Sequence, residues 1–110
     1  MSSPNPRLQM LAVLKLRSGK MQEFCEVMTR VIPIMAQHDW ILAGAWTNVV
    51  GRLNVVYDLW SVPDANAVMS GFLGLMQRSE YPEISRVLAD FVEDEQLQMM
   101  TRLPFDPGRL

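Results

Sequence analysis

The side chains best suited to chemistry lie in one predicted hairpin, where Trp46, Asn48, Tyr57, Asp58 and Trp60 supply indole, amide, phenol and carboxylate groups. Trp46 and Asn48 are two residues apart, so they share one face of a strand. We expect them to pair across the hairpin with Asp58 and Trp60. Indole, amide and carboxylate groups that converge on an apolar wall would orient a flat, oxygen-rich substrate.

A structural interpretation of the two tryptophans competes with this one. Trp46 and Trp60 would then be core or dimer-interface packing, with their N–H groups satisfied locally. A buried Asp58 would need a basic partner, for which Arg102 and Arg52 are candidates. Without a partner its pKa would be raised, which indicates a functional group. The candidates for catalysis are Asp58, Tyr57 and Asn48, and those for ligand binding are Trp46, Asn48, Asp58, Trp60 and Arg102.

Other reactive residues are few. His38 is the single histidine and falls at the end of a predicted helix, where a cation suits the helix dipole. Metal sites need several clustered ligands, and Asp39 beside His38 does not supply them. Cys25, the single cysteine, lies on a helical apolar stripe and is interpreted as a small hydrophobe. The sequence therefore predicts no metal, no haem and no other cofactor.

The elements that would position these residues follow one another in a simple order. The hydrophobic patterns predict a strand, a helix starting near Gly19 with Ser18 as N-cap, a hairpin, a helical region opening at Asp64, a helix with Pro82 in its first turn, and a last strand. The strands are predicted over residues 8–16 and 95–103, and the hairpin spans 41–60 with its turn at 51–54. This β-α-β-β-α-β order is α+β and ferredoxin-like, a four-stranded antiparallel sheet with helices on one face.

The hairpin also predicts a partner for the chain. Both of its strands are apolar on both faces, whereas a hairpin with one wet face alternates apolar and polar residues. Helices can cover one face only. We therefore expect a homodimer that packs through the open sheet face.

Composition narrows the remaining possibilities. The chain has 110 residues, of which 49% are hydrophobic, and this predicts a single domain over 1–110 with its core at about 8–103. Basic residues are scattered and the net charge is -2, which argues against nucleic-acid binding. No apolar run approaches the roughly 20 residues of a membrane helix. One cysteine and a polar N-terminus without a secretory signal favour the cytoplasm.

Three stretches of the sequence resemble the NIPSNAP family of the dimeric α+β barrel superfamily. The passage 14–20 followed by Phe24 is similar to that family's "L-x-P-G-K…F" strand end. The hairpin, with 44–47 followed by 51–54, resembles its "G-x-W-T…G-x-L-N" motif, and Leu59-Trp60 matches its closing "L-W". The resemblance implies a ferredoxin-like domain that dimerises into an α/β barrel. Two departures stand out, since many members have His at the position of Asp58 and Arg near the position of Val68.

Two functions remain open at this point. The first is a non-catalytic, NIPSNAP-like homodimer that binds a hydrophobic small molecule or a partner. The alternative is a cofactor-independent monooxygenase or isomerase acting on a hydrophobic aromatic or polyketide-like metabolite, as the superfamily resemblance implies. In either case we expect a cavity between sheet and helices near Asp58 and Trp60, where Gly71 and Gly74 loosen the packing of the second helical region.

Overall fold

The computed structural model describes residues 7–107, which form four strands and three helices. The strands are β1 (Leu8–Leu16), β2 (Ile41–Thr47), β3 (Val55–Val62) and β4 (Val92–Met100), and the helices are α1 (Met21–Ala36), α2 (Ala65–Met76) and α3 (Tyr81–Phe91). The predicted α+β order is confirmed, with the second helical region divided into two helices. None of these helices is long and apolar enough to cross a bilayer.

The strands form one antiparallel sheet in the order β2-β3-β1-β4. This ferredoxin-like order makes β1 and β3 the central strands and leaves β2 and β4 at the edges. The helices pack on one side of the sheet, which we call the covered face. On the central strands this face carries Met10, Ala12, Leu14, Leu16, Val56, Asp58, Trp60 and Val62. The opposite side, which we call the open face, carries alternate residues such as Val13, Tyr57 and Leu59.

Two hydrophobic clusters lie between the covered face and the helices. Near one end of the sheet, Met10, Trp60 and Val62 pack with Met35 of α1 and Ile84 of α3. Near the other end, buried residues of β1 and β3 pack with Phe24 and Phe91. These positions recur with the two-residue period of strands and the roughly 3.6-residue period of helices, which is why the sequence pattern identifies them.

The helix starts follow capping chemistry at two of the three sites. The Asp64 carboxylate accepts a hydrogen bond from the Ala67 amide at 3.0 Å, and Pro82 lies in the first turn of α3, both as predicted. The prediction for α1 is wrong. Its N-cap is Lys20 rather than Ser18, without a side-chain cap, because Gly19 adopts a φ of +82° that is outside the helical region.

The last strand begins earlier than predicted. It starts at Val92, directly after the last residue of α3, so no loop separates the helix from the strand. Pairing with β1 sets its limits, because Leu16 faces Val92 and Gln9 faces Met100. The predicted extension over residues 101–103 is wrong, since these residues lie outside the strand. The edge strand β4 therefore extends from Val92 to Met100.

Candidate functional site

The hairpin register separates the predicted cluster into two sets. Trp46 faces Tyr57, and Ala45 faces Asp58, so Trp46 lies on the open face and Asp58 on the covered face. The predicted pairing of Trp46 with Asp58 is wrong by one residue. A shift of one residue moves every side chain of a strand to the other face. The connection spans residues 48–54 rather than a tight turn at 51–54, and its length sets this register.

Trp46, Asn48 and Tyr57 come together on the open face. The Asn48 side-chain amide donates hydrogen bonds to the Tyr57 hydroxyl at 3.2 Å and to the Arg52 carbonyl at 2.9 Å. The indole of Trp46 is 56% exposed and lies over Gly44, where a Cβ atom would collide with it. These local contacts hold the group at the sheet surface, and Trp46 also lines a cavity between α1 and β2.

A cavity of about 520 Å³ lies between the covered face and the helices. Its walls are apolar and aromatic, with Phe24, Trp40, Trp60 and Phe72 among them. A smaller cavity of about 320 Å³ lies between α1 and β2. Asp58 lines both cavities. The predicted location of a cavity near Asp58 and Trp60 agrees with this arrangement.

Asp58 is a buried carboxyl group with no basic partner. Its relative exposure is 4%, and it forms no hydrogen bond or ion pair within residues 7–107. The two predicted partners lie elsewhere. Arg102 forms an ion pair with Asp106, and Arg52 is exposed in the hairpin connection. Burial, with a smaller contribution from the nearby negative charge of Glu95, raises the pKa of Asp58 from 3.8 to about 6.

Glu95 is the second acidic group of the cavity, and sequence reasoning missed it. It faces Leu14 of β1 in the sheet, so it lies on the covered face at the rim of the larger cavity. Partial burial raises its pKa. Its position depends on the pairing of β4 with β1. The sequence contains a signal for this position, because residues two apart in a strand share a face and Glu95 is two residues from Leu97.

Trp40, Trp60 and Phe72 form what we call the aromatic wall of the larger cavity. Its central ring is Trp40, which sequence reasoning also missed. Its ring makes edge-on contacts with Trp60 at 5.6 Å and with Phe72 at 5.1 Å between centroids. Its indole N–H donates to the Ala67 carbonyl at 2.6 Å. Trp40 follows Asp39, whose φ of +63° turns the chain back from α1. This turn brings the ring beneath α2.

The expectation that Gly71 and Gly74 loosen α2 is wrong. A Cβ atom at Gly71 would overlap the ring of Trp40, and one at Gly74 would overlap the ring of His38. The two glycines therefore admit close packing of rings against the helix. His38, predicted to cap α1 or to be solvated, follows the end of α1, where its backbone N–H donates to the Met35 carbonyl at 2.9 Å, and its ring packs against Gly74 of α2.

Cys25 does not occupy the buried stripe predicted for it. It is exposed on α1, beside the smaller cavity. Among the residues that the structure describes, no group of three or more histidine, cysteine or acidic side chains could hold a metal ion. The acidic groups that line the larger cavity are Asp58 and Glu95, and Tyr81 and Ser85 add hydroxyl-bearing side chains to its lining.

The strand order and the single helical layer define a ferredoxin-like α+β domain. The sequence model of the NIPSNAP family matches residues 9–107, and the chain belongs to that family. A comparison with curated proteins gave no match.

Solved structures share this fold at low sequence identity. An uncharacterised NIPSNAP domain protein from Burkholderia xenovorans is 21% identical with a TM-score of 0.77, over 91% of this chain and 98% of that one. A NIPSNAP family protein of unknown function from Agrobacterium tumefaciens is 17% identical with a TM-score of 0.81, over 96% of both chains. A putative antibiotic biosynthesis monooxygenase from Bacteroides thetaiotaomicron is 16% identical with a TM-score of 0.64, over 96% of both chains. These likenesses support the fold.

Proposed function

We propose that this protein is a homodimer that binds a hydrophobic small molecule in the cavity beneath the covered face. The observation that carries the proposal is Asp58, a carboxyl group that has no partner among residues 7–107 and lines two apolar cavities. An unpaired buried polar group costs folding free energy. A bound ligand that supplies a hydrogen bond or a charge would offset this cost.

The size and lining of the cavity support a small organic ligand. A volume of about 520 Å³ falls within the range of roughly 300–1,000 Å³ of known ligand sites. Such sites are mostly apolar with a few polar groups that orient the ligand. Here the aromatic wall around Trp40 and Trp60 is the apolar part, and Asp58 with Glu95 is the polar part.

The open face supports the homodimer. Its central strands carry Val13, Tyr57 and Leu59, and an unpartnered face of this kind is typical of an interaction surface. Outside the sheet, Val49 and Val50 of the hairpin connection are 94% and 92% exposed, and Phe105 is 77% exposed, so the chain has further apolar surface that a partner could bury. The proposed location is the cytoplasm, since a single cysteine suits a reducing compartment.

Ligand binding is tested by filling the cavity. Leu88 of α3 lines the cavity, whereas Leu73 of α2 is exposed and lies outside it. The wild type and the variants Leu88→Trp and Leu73→Trp are screened against a library of apolar metabolites by thermal shift and native mass spectrometry. We expect ligands that stabilise the wild type and Leu73→Trp but not Leu88→Trp. Equal responses from all three proteins would place binding outside the cavity.

The homodimer is tested by light scattering with a matched pair of variants. Leu59→Asp introduces a charge on the open face, and Leu73→Asp introduces the same charge on an exposed helix position. We expect a dimer mass for the wild type and Leu73→Asp, and a monomer mass for Leu59→Asp. A monomeric wild type would contradict the proposal.

A cofactor-independent enzyme, an oxygenase or an isomerase, is the second candidate. The observation that favours it is the pKa of Asp58 of about 6, close to the value that suits a general base at neutral pH. The fold neighbour described as a putative monooxygenase adds the fold alone. Turnover of a ligand found in the screen, lost in Asp58→Asn while binding persists, would establish catalysis. Binding without turnover would favour the first function.

A further inference from the structure

We propose that the cavity selects an apolar amine, with its ammonium group against Asp58 and its hydrocarbon part against the aromatic wall. This inference rests on the proposed function, since it names the class of ligand for the same cavity. It begins from the charged groups that line the cavity and from the apolar surfaces around them.

The charges of the two cavities have one sign only. Asp58 and Glu95 line the larger cavity, and the other titratable side chains around the two cavities are Tyr81 and Cys25. No lysine, arginine or histidine of residues 7–107 lines either cavity. A carboxylate or phosphate ligand would therefore meet repulsion without a compensating cation. Anionic ligands are excluded on this ground.

An ammonium group supplies the charged N–H donor that the Asp58 carboxylate lacks. The carboxyl group is 4% exposed, has no partner within the described part of the chain, and lines the cavity. A charged N–H donor forms a hydrogen bond to a carboxylate about twice as strong as a neutral donor does. An alcohol of the same size would donate a hydrogen bond but would leave the buried negative charge uncompensated. The amine is therefore the better match.

The second acidic group strengthens this preference. Glu95 lies close enough to Asp58 for its negative charge to raise the pKa of that carboxyl. A cation placed between two like charges relieves their repulsion. Glu95 is also on the edge strand at the exposed rim, where it would attract a cation before it enters the cavity.

The walls of the cavity suit the rest of such a ligand. Trp40 and Trp60 present aromatic rings, which attract cations over their faces and bury hydrocarbon. Met28 and Met69 also line the cavity, and methionine side chains adapt to ligands of different shape. The expected ligand is therefore an amine attached to an aromatic or aliphatic body.

The test compares three probes with the same hydrocarbon part, namely 3-phenylpropylamine, 3-phenylpropan-1-ol and 3-phenylpropionate. Isothermal titration at pH 7.5 measures each dissociation constant on the full-length protein. We expect the amine to bind at least tenfold more tightly than the alcohol and the propionate not to bind. Asp58→Asn should weaken amine binding at least tenfold and leave alcohol binding unchanged.

A matched pair of variants on β4 serves as the control. Glu95→Gln removes a charge at the cavity rim, and Asp94→Asn removes one on the open face of the same strand. We expect weaker amine binding for the first variant only, with circular dichroism showing that both are folded.

The outcomes separate the two proposals. Alcohol binding as tight as amine binding, or an Asp58→Asn variant that keeps its amine affinity, would overturn the amine inference and leave the ligand cavity standing. Failure of all three probes to bind the wild type, together with an unresponsive metabolite screen, would overturn both.

Discussion

The polar side chains on the two faces of the sheet differ in their hydrogen bonding. On the open face the Tyr57 hydroxyl accepts from Asn48, and the Arg7 guanidinium donates to the Ser61 hydroxyl at 2.6 Å. On the covered face Asp58 has no partner among the residues described. Tyr57 and Ser61 of the open face are thus hydrogen-bonded, whereas the covered face holds an acid without a partner in the described chain. This difference supports the binding role proposed for Asp58.

One residue of the open face departs from that rule. The side-chain oxygen of Gln9 is buried and has no hydrogen-bond partner within the described chain. Gln9 lies on β1 opposite Ser61 and Met100. A donor from a second copy would satisfy this oxygen in the proposed homodimer.

The largest expected effect contrasts the tryptophans of the two faces. Trp60→Ala removes a buried ring from the core and should lower the free energy of unfolding by about 3–5 kcal/mol. Trp46→Ala removes an exposed ring and should change it by less than about 1 kcal/mol in dilute solution. Urea denaturation measures both. Similar losses for the two variants would contradict the assignment of faces.

The charge of Asp58 should make stability depend on pH. Because the pKa is raised from 3.8 to about 6 on folding, the folded protein binds more protons than the unfolded chain between these values. The stabilisation that this extra proton gives the folded protein is complete below about pH 4 and is lost as the pH rises through 6. Asp58→Asn should abolish this dependence and stabilise the protein at pH 7.5 by up to about 3 kcal/mol.

Urea denaturation between pH 4.5 and 7.5 measures this effect. The raised pKa of Glu95 acts in the same direction, so Glu95→Gln should remove a further part of the dependence. Asp94→Asn on the open face provides the charge-matched control. A destabilised Asp58→Asn variant would reveal a partner for the carboxylate and would refute the contrast between the faces.

A smaller effect is expected for the glycines of α2. Gly71→Ala gains helix propensity but forces a Cβ atom into the buried ring of Trp40, so we expect a net loss of about 1–3 kcal/mol. Gly74→Ala should lose less, because His38 is only half-buried and its ring can move away. Thermal unfolding compares the two variants. A Gly71→Ala variant more stable than the wild type would show that the ring of Trp40 can move to accommodate the added methyl group.

The smallest effect belongs to the hydrogen bond of the open face. Tyr57→Phe removes the acceptor of the Asn48 amide and should cost no more than about 1 kcal/mol. A double-mutant cycle with Asn48→Ala isolates the coupling. A coupling near zero would show that this face is held by packing alone.

The sequence predicts the elements well and the site poorly. The period of the apolar residues identifies β1, and the capping chemistry of Asp64 identifies the start of α2, because both depend on neighbours in the chain. The pairing of Trp46 with Tyr57 depends instead on the conformation of residues 48–54, which local pattern does not specify. Glu95 joins Asp58 only through the pairing of two strands with β1. Long-range register therefore determined what sequence reasoning missed.

The direct passage from α3 into β4 has a mechanical consequence. Phe91 ends the helix and Val92 begins the strand. The backbone N–H of Arg17 donates a hydrogen bond to the Phe91 carbonyl at 2.8 Å. With no intervening residue to absorb strain, any outward tilt of α3 pulls on the edge strand. A ligand that enlarges the cavity by displacing α3 would therefore also shift β4. The shift would change the sheet surface that faces the proposed second copy. Residues 77–80 separate α2 from α3, so a tilt of α3 is not passed on to α2 through such a direct junction.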